Sequence, residues 1–332
     1  MRLSVCLVTY NHEEFIEQAV TSALNQVVSF DYEIVVGEDC STDTTADVLR
    51  RLESCHSGRL KVEYHEKNLG AEKNFLKTIA ACRGEYIAFL DGDDFWTSRH
   101  KLELQVRFLD KHQEASFCFH RARYLNTTDQ SAEYVVPPHD PPALSSFDFI
   151  LQDSNPVAIN SVVARRAYLA EVSSWLTDLK LGDWPLCLML ARQGRVGYLP
   201  MEMSMYRVHA GGTWSHLSPH LQFAYVMQMF SHLSGQLSGK EKDLVEHRKA
   251  QLADWWCGNL IYDAKVQLDA MVGDLNRVGD CKLSNYLLSK LADKARDVEQ
   301  SRLWHEQKMH AREAAAGAVR KWFTGFRSRQ AP

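Results

Sequence analysis

The chain is 332 residues long, 45% hydrophobic and 24% charged, a composition that buries a full core over about two domains. Its formal net charge of −4 argues against nucleic acid as the main partner, because binding along a phosphate backbone needs a basic surface. The eight cysteines stand at no CxxC or metal-ligand spacing, and several lie in apolar runs such as Val5-Cys6-Leu7, so they read as free thiols of a reducing compartment.

The chain enters a strand at Leu3 without a signal-peptide apolar region, and no apolar run approaches the roughly 18 residues of a membrane span. The expected location is cytoplasmic, with a peripheral place at the inner face of a membrane left open. In chain order, the β-rich run Leu3 to Thr9 comes first, then Phe15, Ile16, Ala19, Val20, Ala23 and Leu24 recur at helical spacing. Tyr32 to Val36 predicts a strand and Thr44 to Leu52 a helix, followed by strand Lys61 to Tyr64 and helix Asn74 to Ala81. Strand Tyr86 to Leu90 and helix Leu102 to Leu109 complete the series. Strands interleaved with single helices predict an α/β fold with a doubly wound, mostly parallel sheet. Ligands of such sheets sit outside the carboxyl ends of the strands, where Thr9 to Asn11, Glu38 to Asp39 and Asp91 to Asp94 fall.

The most informative segment is Tyr86 to Trp96, YIAFLDGDDFW, in which an apolar strand runs into Asp91, Gly92, Asp93 and Asp94. Clustered carboxylates repel unless a cation neutralises them, and hard oxygen ligands suit Mg2+ or Mn2+, which grip phosphate oxygens. The same segment also reads as an Asp-rich turn capping a helix that starts near Ser98. What is missing favours the metal. The loop after the first strand, Tyr10-Asn11-His12-Glu13, has no glycine, and no GxxxxGK[ST] occurs. Positive charge for a diphosphate must then come from elsewhere, and a metal on Asp91 and Asp93 supplies it.

The runs VTYNHEEFIEQAVTSALNQ, EIVVGEDCSTDTT, NLGAEKNF and LDGDD, in this order, resemble the nucleotide-sugar half of a family 2 glycosyltransferase of GT-A fold. The resemblance is strong over residues 1–120 and extends through LGDWPL and YRVHAGGTWS to about Ser215. It implies a GT-A domain over 1–215, with 121–215 as the acceptor half, and a helical C-terminal region over 216–332. It further implies that Asp39 binds the base, usually uracil, while Thr9, Tyr10, Asn11 and Glu13 line the same pocket. Asp91 and Asp93 match the DxD motif, with Gly92 between them, and contact ribose and metal. Lys73 and Asn74, after Asn68-Leu69-Gly70, read either as nucleotide contacts or as a solvated helix start. Cys40 stands where the family commonly has glycine. Ser41 and Asp43 are assigned to capping the next helix, and His12 to the surface.

After Tyr124 the Pro-rich stretch from Pro137-Pro138 to Pro141-Pro142 predicts an irregular loop. Phe147 to Leu151 reads as helix, Ser161 to Ala164 as strand and Leu186 to Ala191 as helix. Asp183, ahead of Trp184 and Pro185, reads as a helix N-cap; the resemblance makes it the general base of an inverting member instead, with Asp153 and Asp178 as alternatives. His209, before Gly211-Gly212, is a candidate metal or diphosphate contact and equally a structural histidine. Trp184 and Trp214 are placed on the acceptor side, the latter stacking on sugar or merely packing.

From about Leu217 the pattern turns helical, over Leu221 to Leu233, Glu241 to Val272 and Leu283 to Ala315. The end is basic, with Trp322, Phe323 and Phe326 among Arg320, Lys321, Arg327 and Arg329. It reads as a membrane-surface helix or as a solvated terminus. The expected function is transfer of a sugar from a nucleotide diphosphate sugar, UDP-linked in first place, to a carbohydrate, lipid-linked or protein acceptor, with Mn2+ or Mg2+ as cofactor. A homodimer through the C-terminal helices is a further expectation. The competing readings are a nucleotidyltransferase and a non-catalytic nucleotide-binding scaffold. The first needs basic residues near Thr9 to Glu14, which has none.

Overall fold

The computed structural model describes residues 1–127, 133–151, 155–170, 179, 182–214 and 217–262, with scattered positions from 274 to 296. The chain divides into two compact units, 1–248 and 249–332. The basic tail beyond Arg302 and the candidate bases Asp153 and Asp178 lie outside the described residues.

Strands β1 (Leu3–Thr9), β2 (Tyr32–Glu38), β3 (Leu60–Tyr64) and β4 (Tyr86–Asp91) alternate with helices α1 (Ile16–Leu24), α2 (Thr45–Cys55) and α3 (Ala71–Ala81). The four strands pair in parallel, in the order β3-β2-β1-β4. Every residue of β2 is buried, and every residue of β1 but Val8. Helices cover both faces of a parallel sheet, so its strands are continuous apolar runs rather than alternating ones. In α1 the buried residues are Ile16, Ala19, Val20 and Ala23, the spacing of one helical face turned to the sheet.

Beyond β4 the sheet becomes mixed. Short β5 (Phe95–Trp96) and helix α4 (Lys101–Lys111) lead into β6 (Ala115–Asn126). The rest of the chain adds β7 (Glu133–Val136), β8 (Leu144–Ser145), helix α5 (Phe147–Ile150), β9 (Val163–Arg165), helix α6 (Asp183–Gln193) and β10 (Arg195–Val208). The full order is β3-β2-β1-β4-β9-β6-β10-β5, with β9 antiparallel to both β4 and β6. Long β10 runs parallel to β6, shifts register between Leu199 and Ser204, and continues to Val208. Such bulges bend and re-aim a strand. Here β10 pairs with β5 at Met205 opposite Phe95, which brings its end to the acidic loop between β4 and β5.

Two differences from the sequence reading lie in this half. Chain predicted as irregular after Tyr124 folds back as β7, paired antiparallel with β6, before the prolines begin. The strand expected from Ser161 starts at Val163, because Ile159–Ser161 closes a 3-10 turn.

Helix α7 (Pro219–Gln236) starts at Ser218, whose Oγ accepts the Leu221 amide at 3.2 Å, with Pro219 in the first turn, an arrangement that satisfies one orphan donor and needs no amide from the proline. Among the described residues no helix is long and apolar enough to cross a membrane, and the described cysteines Cys6, Cys40, Cys55, Cys82, Cys118 and Cys187 are unpaired.

Candidate active site

Parallel register sets the strand ends level. Thr9 lies opposite Glu38, and Val8 opposite Asp91, so the loops after β1, β2 and β4 open on one crevice, as at the carboxyl edge of other open α/β sheets.

The first two loops are stitched together by side chains expected to face a ligand. Asn11, in a left-handed conformation at φ 54°, accepts the Thr42 amide on Oδ1 at 2.8 Å, and its own amide donates to Ser41 Oγ at 3.0 Å. Glu13 Oε2 accepts the Thr44 amide at 2.9 Å and the Thr44 hydroxyl at 2.6 Å. Asp43 takes the amides of Thr45 at 2.9 Å and Glu13 at 3.1 Å. Asp43 thus serves the start of α2 as expected. Ser41 does not, because its hydroxyl is engaged by Asn11. Tyr10, 41% exposed, is the member of this loop whose ring is open to solvent.

Asp39 is buried, and its carboxylate accepts the amides of Leu69 at 2.8 Å and Gly70 at 3.0 Å, tying the loop after β3 to the crevice. Cys40 beside it adopts φ 59°, the left-handed region that favours glycine, which accounts for the glycine that the family has there. Asn74 is not a solvated helix start. It is buried, donates to the Gly37 carbonyl at 2.9 Å and pairs through Oδ1 with His65 Nε2 at 3.0 Å. Its polar atoms therefore pin α3 under β2. Lys73 is exposed.

The carboxylates of Asp91, Asp93 and Asp94 present ligand atoms within 4.8 Å of one another. Gly92 allows this packing: a Cβ there would stand 2.4 Å from Thr9 Oγ1 and 2.8 Å from His12 Nδ1. The three carboxylates differ in what they already bind. Asp94 is fully engaged, accepting Asn160 Nδ2 at 2.7 Å and the Arg207 amide at 2.8 Å. Burial, then the charges of Asp93 and Asp91, hold it well above the usual carboxylate range. Asp91 is pushed up to about 8 by burial, with Asp93 and Asp183 adding to the effect. Burial also works upward on Asp93, but the hydrogen bond from His209 and the charge of His12 outweigh it and lower its pKa. Clustered carboxylates whose joint ionisation is disfavoured without a counter-charge fit a divalent cation, with Asp91 and Asp93 as the carboxylates left to hold it.

Two histidines flank Asp93 Oδ2: His209 Nε2 at 3.1 Å and His12 Nε2 at 3.7 Å. His12 is therefore a site residue and not a surface one. Its side chain is only 17% exposed, and its Nδ1 lies 3.2 Å from Thr9 Oγ1.

Arg207 escaped the sequence reading. Its guanidinium donates to the Asp93 carbonyl and to Gln18 Oε1 and lies between the rings of Phe15, 5.0 Å away, and Phe95, 4.5 Å away. An arginine two residues before a candidate histidine was the available signal, but its partners stand more than a hundred residues earlier in the chain.

Asp183 is the first residue of α6, and Gly182 is the N-cap. Its carboxylate accepts the Trp184 amide at 2.8 Å and Asn155 Nδ2 at 3.1 Å. Burial raises its pKa, and its charge adds, after burial and Asp93, to the raised pKa of Asp91. Trp184 offers no face to an acceptor: it is 3% exposed, donates to the Ile150 carbonyl at 2.7 Å and meets Phe230 edge-on. Trp214 is half-buried, its carbonyl accepting from Gln222 at 2.9 Å.

A mostly parallel sheet that gathers an Asp-Gly-Asp motif and loops of this kind at its carboxyl edge has the GT-A glycosyltransferase fold. Residues 4–167 match the model of glycosyl transferase family 2, and the chain belongs to that family. An uncharacterized protein of Mycobacterium tuberculosis is 32% identical over 212 residues, which are 64% of this chain and 60% of that protein. The matched stretch thus spans less than two thirds of that relative. The Escherichia coli UDP-Glc:alpha-D-GlcNAc-diphosphoundecaprenol beta-1,3-glucosyltransferase WfaP is 29% identical over 210 residues, 63% of this chain and 78% of that one. Among solved structures, S. aureus TarS 1-349 in complex with UDP-GlcNAc superposes with a TM-score of 0.63 at 19% identity, covering 92% of each chain.

Proposed function

We propose that the protein is an inverting, divalent-metal-dependent glycosyltransferase that moves a sugar from a UDP-sugar to an acceptor hydroxyl. The observation that carries this reading is the Asp91–Asp93 carboxylate pair at the carboxyl edge of the sheet, its ligand atoms within 4.8 Å of one another, with Asp183 near enough to add to the raised pKa of Asp91. Attack on an anomeric carbon needs one carboxylate to take the proton of the incoming hydroxyl and a cationic side to receive the departing diphosphate. Asp183 serves as the base, and its raised pKa makes it a better proton acceptor than an exposed carboxylate. Asp91 and Asp93 would hold Mn2+ or Mg2+, which when bound supplies Lewis-acid stabilisation of the leaving group. A single base without a covalent intermediate gives inversion, by analogy with sugar hydrolysis.

In this reading Thr9, Tyr10 and Asp39 form the base and ribose end, while His12 and His209 stand beside Asp93 at the diphosphate end. The named UDP-Glc donor of the E. coli relative and the UDP-GlcNAc bound to TarS support a uridine nucleotide. The diphosphoundecaprenol-linked acceptor in the relative's name supports a lipid-linked saccharide as acceptor.

A panel of UDP- and GDP-sugars incubated with the protein in Mn2+ or EDTA tests the reading, with released nucleotide diphosphate as the signal. Release from at least one UDP-sugar, abolished by EDTA and by Asp93→Ala, is expected. Mn2+-independent release, or none from any donor together with no thermal stabilisation by UDP, would sink it.

A further inference from the structure

Three tyrosines from separate strands stand side by side, the innermost next in sequence to Arg207. Tyr124 on β6 lies opposite Tyr134 on β7 and opposite Tyr206 on β10, so all three side chains project from one face of the sheet. Their rings stack in sequence, Tyr134 on Tyr124 at 4.7 Å with 21° between planes, and Tyr124 on Tyr206 at 4.4 Å and 24°. Cross-strand aromatic pairs are ordinary sheet stabilisers; the two ends of this ladder are not ordinary.

The outer end is open. Strand β7 pairs with β6 alone among the described strands, and Tyr134 is 54% exposed although Tyr124 stacks on its ring. The inner end reaches the chemistry. Tyr206 immediately precedes Arg207, which grips the Asp93 carbonyl, and α6 packs on β6 and β10 with Asp183 at its first turn. The charge of Asp183 acts on the hydroxyls of both Tyr124 and Tyr206. No hydrogen bond among the described residues engages either hydroxyl, and neither is sealed from solvent. Half-buried hydroxyls that reach solvent and have no protein partner are free to bond the hydroxyls of a ligand.

We infer that the Tyr134–Tyr124–Tyr206 ladder is the acceptor subsite for a saccharide, with a pyranose ring against the exposed ring of Tyr134 and the acceptor's hydroxyls on Tyr124 and Tyr206. A sugar ring has an apolar face of C–H groups and a rim of hydroxyls, which an aromatic face next to a row of phenols complements. A bare lipid chain would leave those phenols unpaired. The assignment rests on the reading of Asp183 as base, since the ladder leads a hydroxyl toward that carboxylate. It moves the acceptor contacts from Trp184, which is buried, to a part of the fold with no tryptophan.

The test uses the full chain, saturated with UDP and Mn2+, on an array of printed bacterial and plant oligosaccharides, with UDP affinity measured separately by calorimetry. Tyr134→Ala is expected to weaken saccharide binding about tenfold, whereas Tyr134→Phe, which keeps the ring, leaves it intact. Tyr124→Phe is expected to weaken it several-fold through the lost hydroxyl, and UDP affinity stays the same in all three. Saccharide binding undiminished in Tyr134→Ala, or no saccharide retained by UDP-saturated wild type, overturns the inference. Failure of wild type to bind UDP at all would instead overturn the donor reading, and this proposal with it.

Discussion

Asn160 donates its side-chain amide to Asp94 Oδ2 at 2.7 Å, while the backbone amide of Arg207 takes Asp94 Oδ1 at 2.8 Å. The last carboxylate of the acidic loop is thereby committed to the protein, and only Asp91 and Asp93 remain for a ligand. Asn160 itself is fully buried, accepts the Ser204 hydroxyl on Oδ1 at 2.8 Å and takes the Trp96 indole N–H on its backbone carbonyl at 2.9 Å, so the 3-10 turn, β5 and β10 meet at one residue.

Asn160→Ala removes that donor and leaves a buried carboxylate short of a partner. A loss of about 2–4 kcal/mol of unfolding free energy is expected, measured by urea denaturation. A change below about 1 kcal/mol would mean that water replaces the amide without cost.

Asp93→Ala should weaken UDP binding at least about tenfold in Mn2+ and leave it nearly unchanged in EDTA, because the side chain acts through the cation. Calorimetric titrations under both conditions separate this from a turn residue, whose removal would cost affinity equally in each.

Asp183→Asn keeps size and an acceptor oxygen but cannot take a proton. Transfer should fall on the order of a hundredfold to ten-thousandfold with UDP affinity preserved. A variant that melts early and loses UDP binding together with transfer would show that the carboxylate serves only the start of α6, through the Trp184 amide.

Lys101, the first residue of α4, is fully buried with its ammonium 4.3 Å from the Trp96 ring and without a hydrogen-bond partner. Burial lowers its pKa to about 7. The unfolded chain keeps the proton up to about pH 10.4, so between these values unfolding takes up a proton and stability rises with pH. Below about 7 both states are charged and the full cost of burial remains. Lys101→Met should therefore be more stable than wild type by on the order of a few kcal/mol at pH 6, with the gap closing toward pH 10. Denaturation curves at pH 6, 8 and 10 check it; a gap that does not depend on pH would show that packing and not charge is responsible.

Much of the first 120 residues was legible without coordinates. Strands β1 to β4 and their helices follow from apolar runs and helical spacing, because each is stabilised by burial of its own pattern against one sheet. The acidic cluster is contiguous in sequence, so the grouping of its carboxylates could be read there too. His12, Arg207 and Asn160 were not legible in the same way. They matter through Asp93 and Asp94, and a single polar residue in a strand or loop carries no local mark of its partner.

Residue type and order alone determined that this chain builds a parallel sheet with loops converging at one edge and a carboxylate pair fit for a divalent cation. Tertiary structure decided which polar side chains are used up in holding that edge together. Asn11, Glu13 and Asn74 look like ligand contacts in sequence, yet their hydrogen bonds go to neighbouring loops and strands. The tertiary structure also decided that Trp184 is core and that three tyrosines, at 124, 134 and 206, form one stack. The physical reason is range: backbone pattern and turn chemistry act over a few residues, whereas hydrogen-bond partners and ring contacts are chosen by which strands the sheet places side by side.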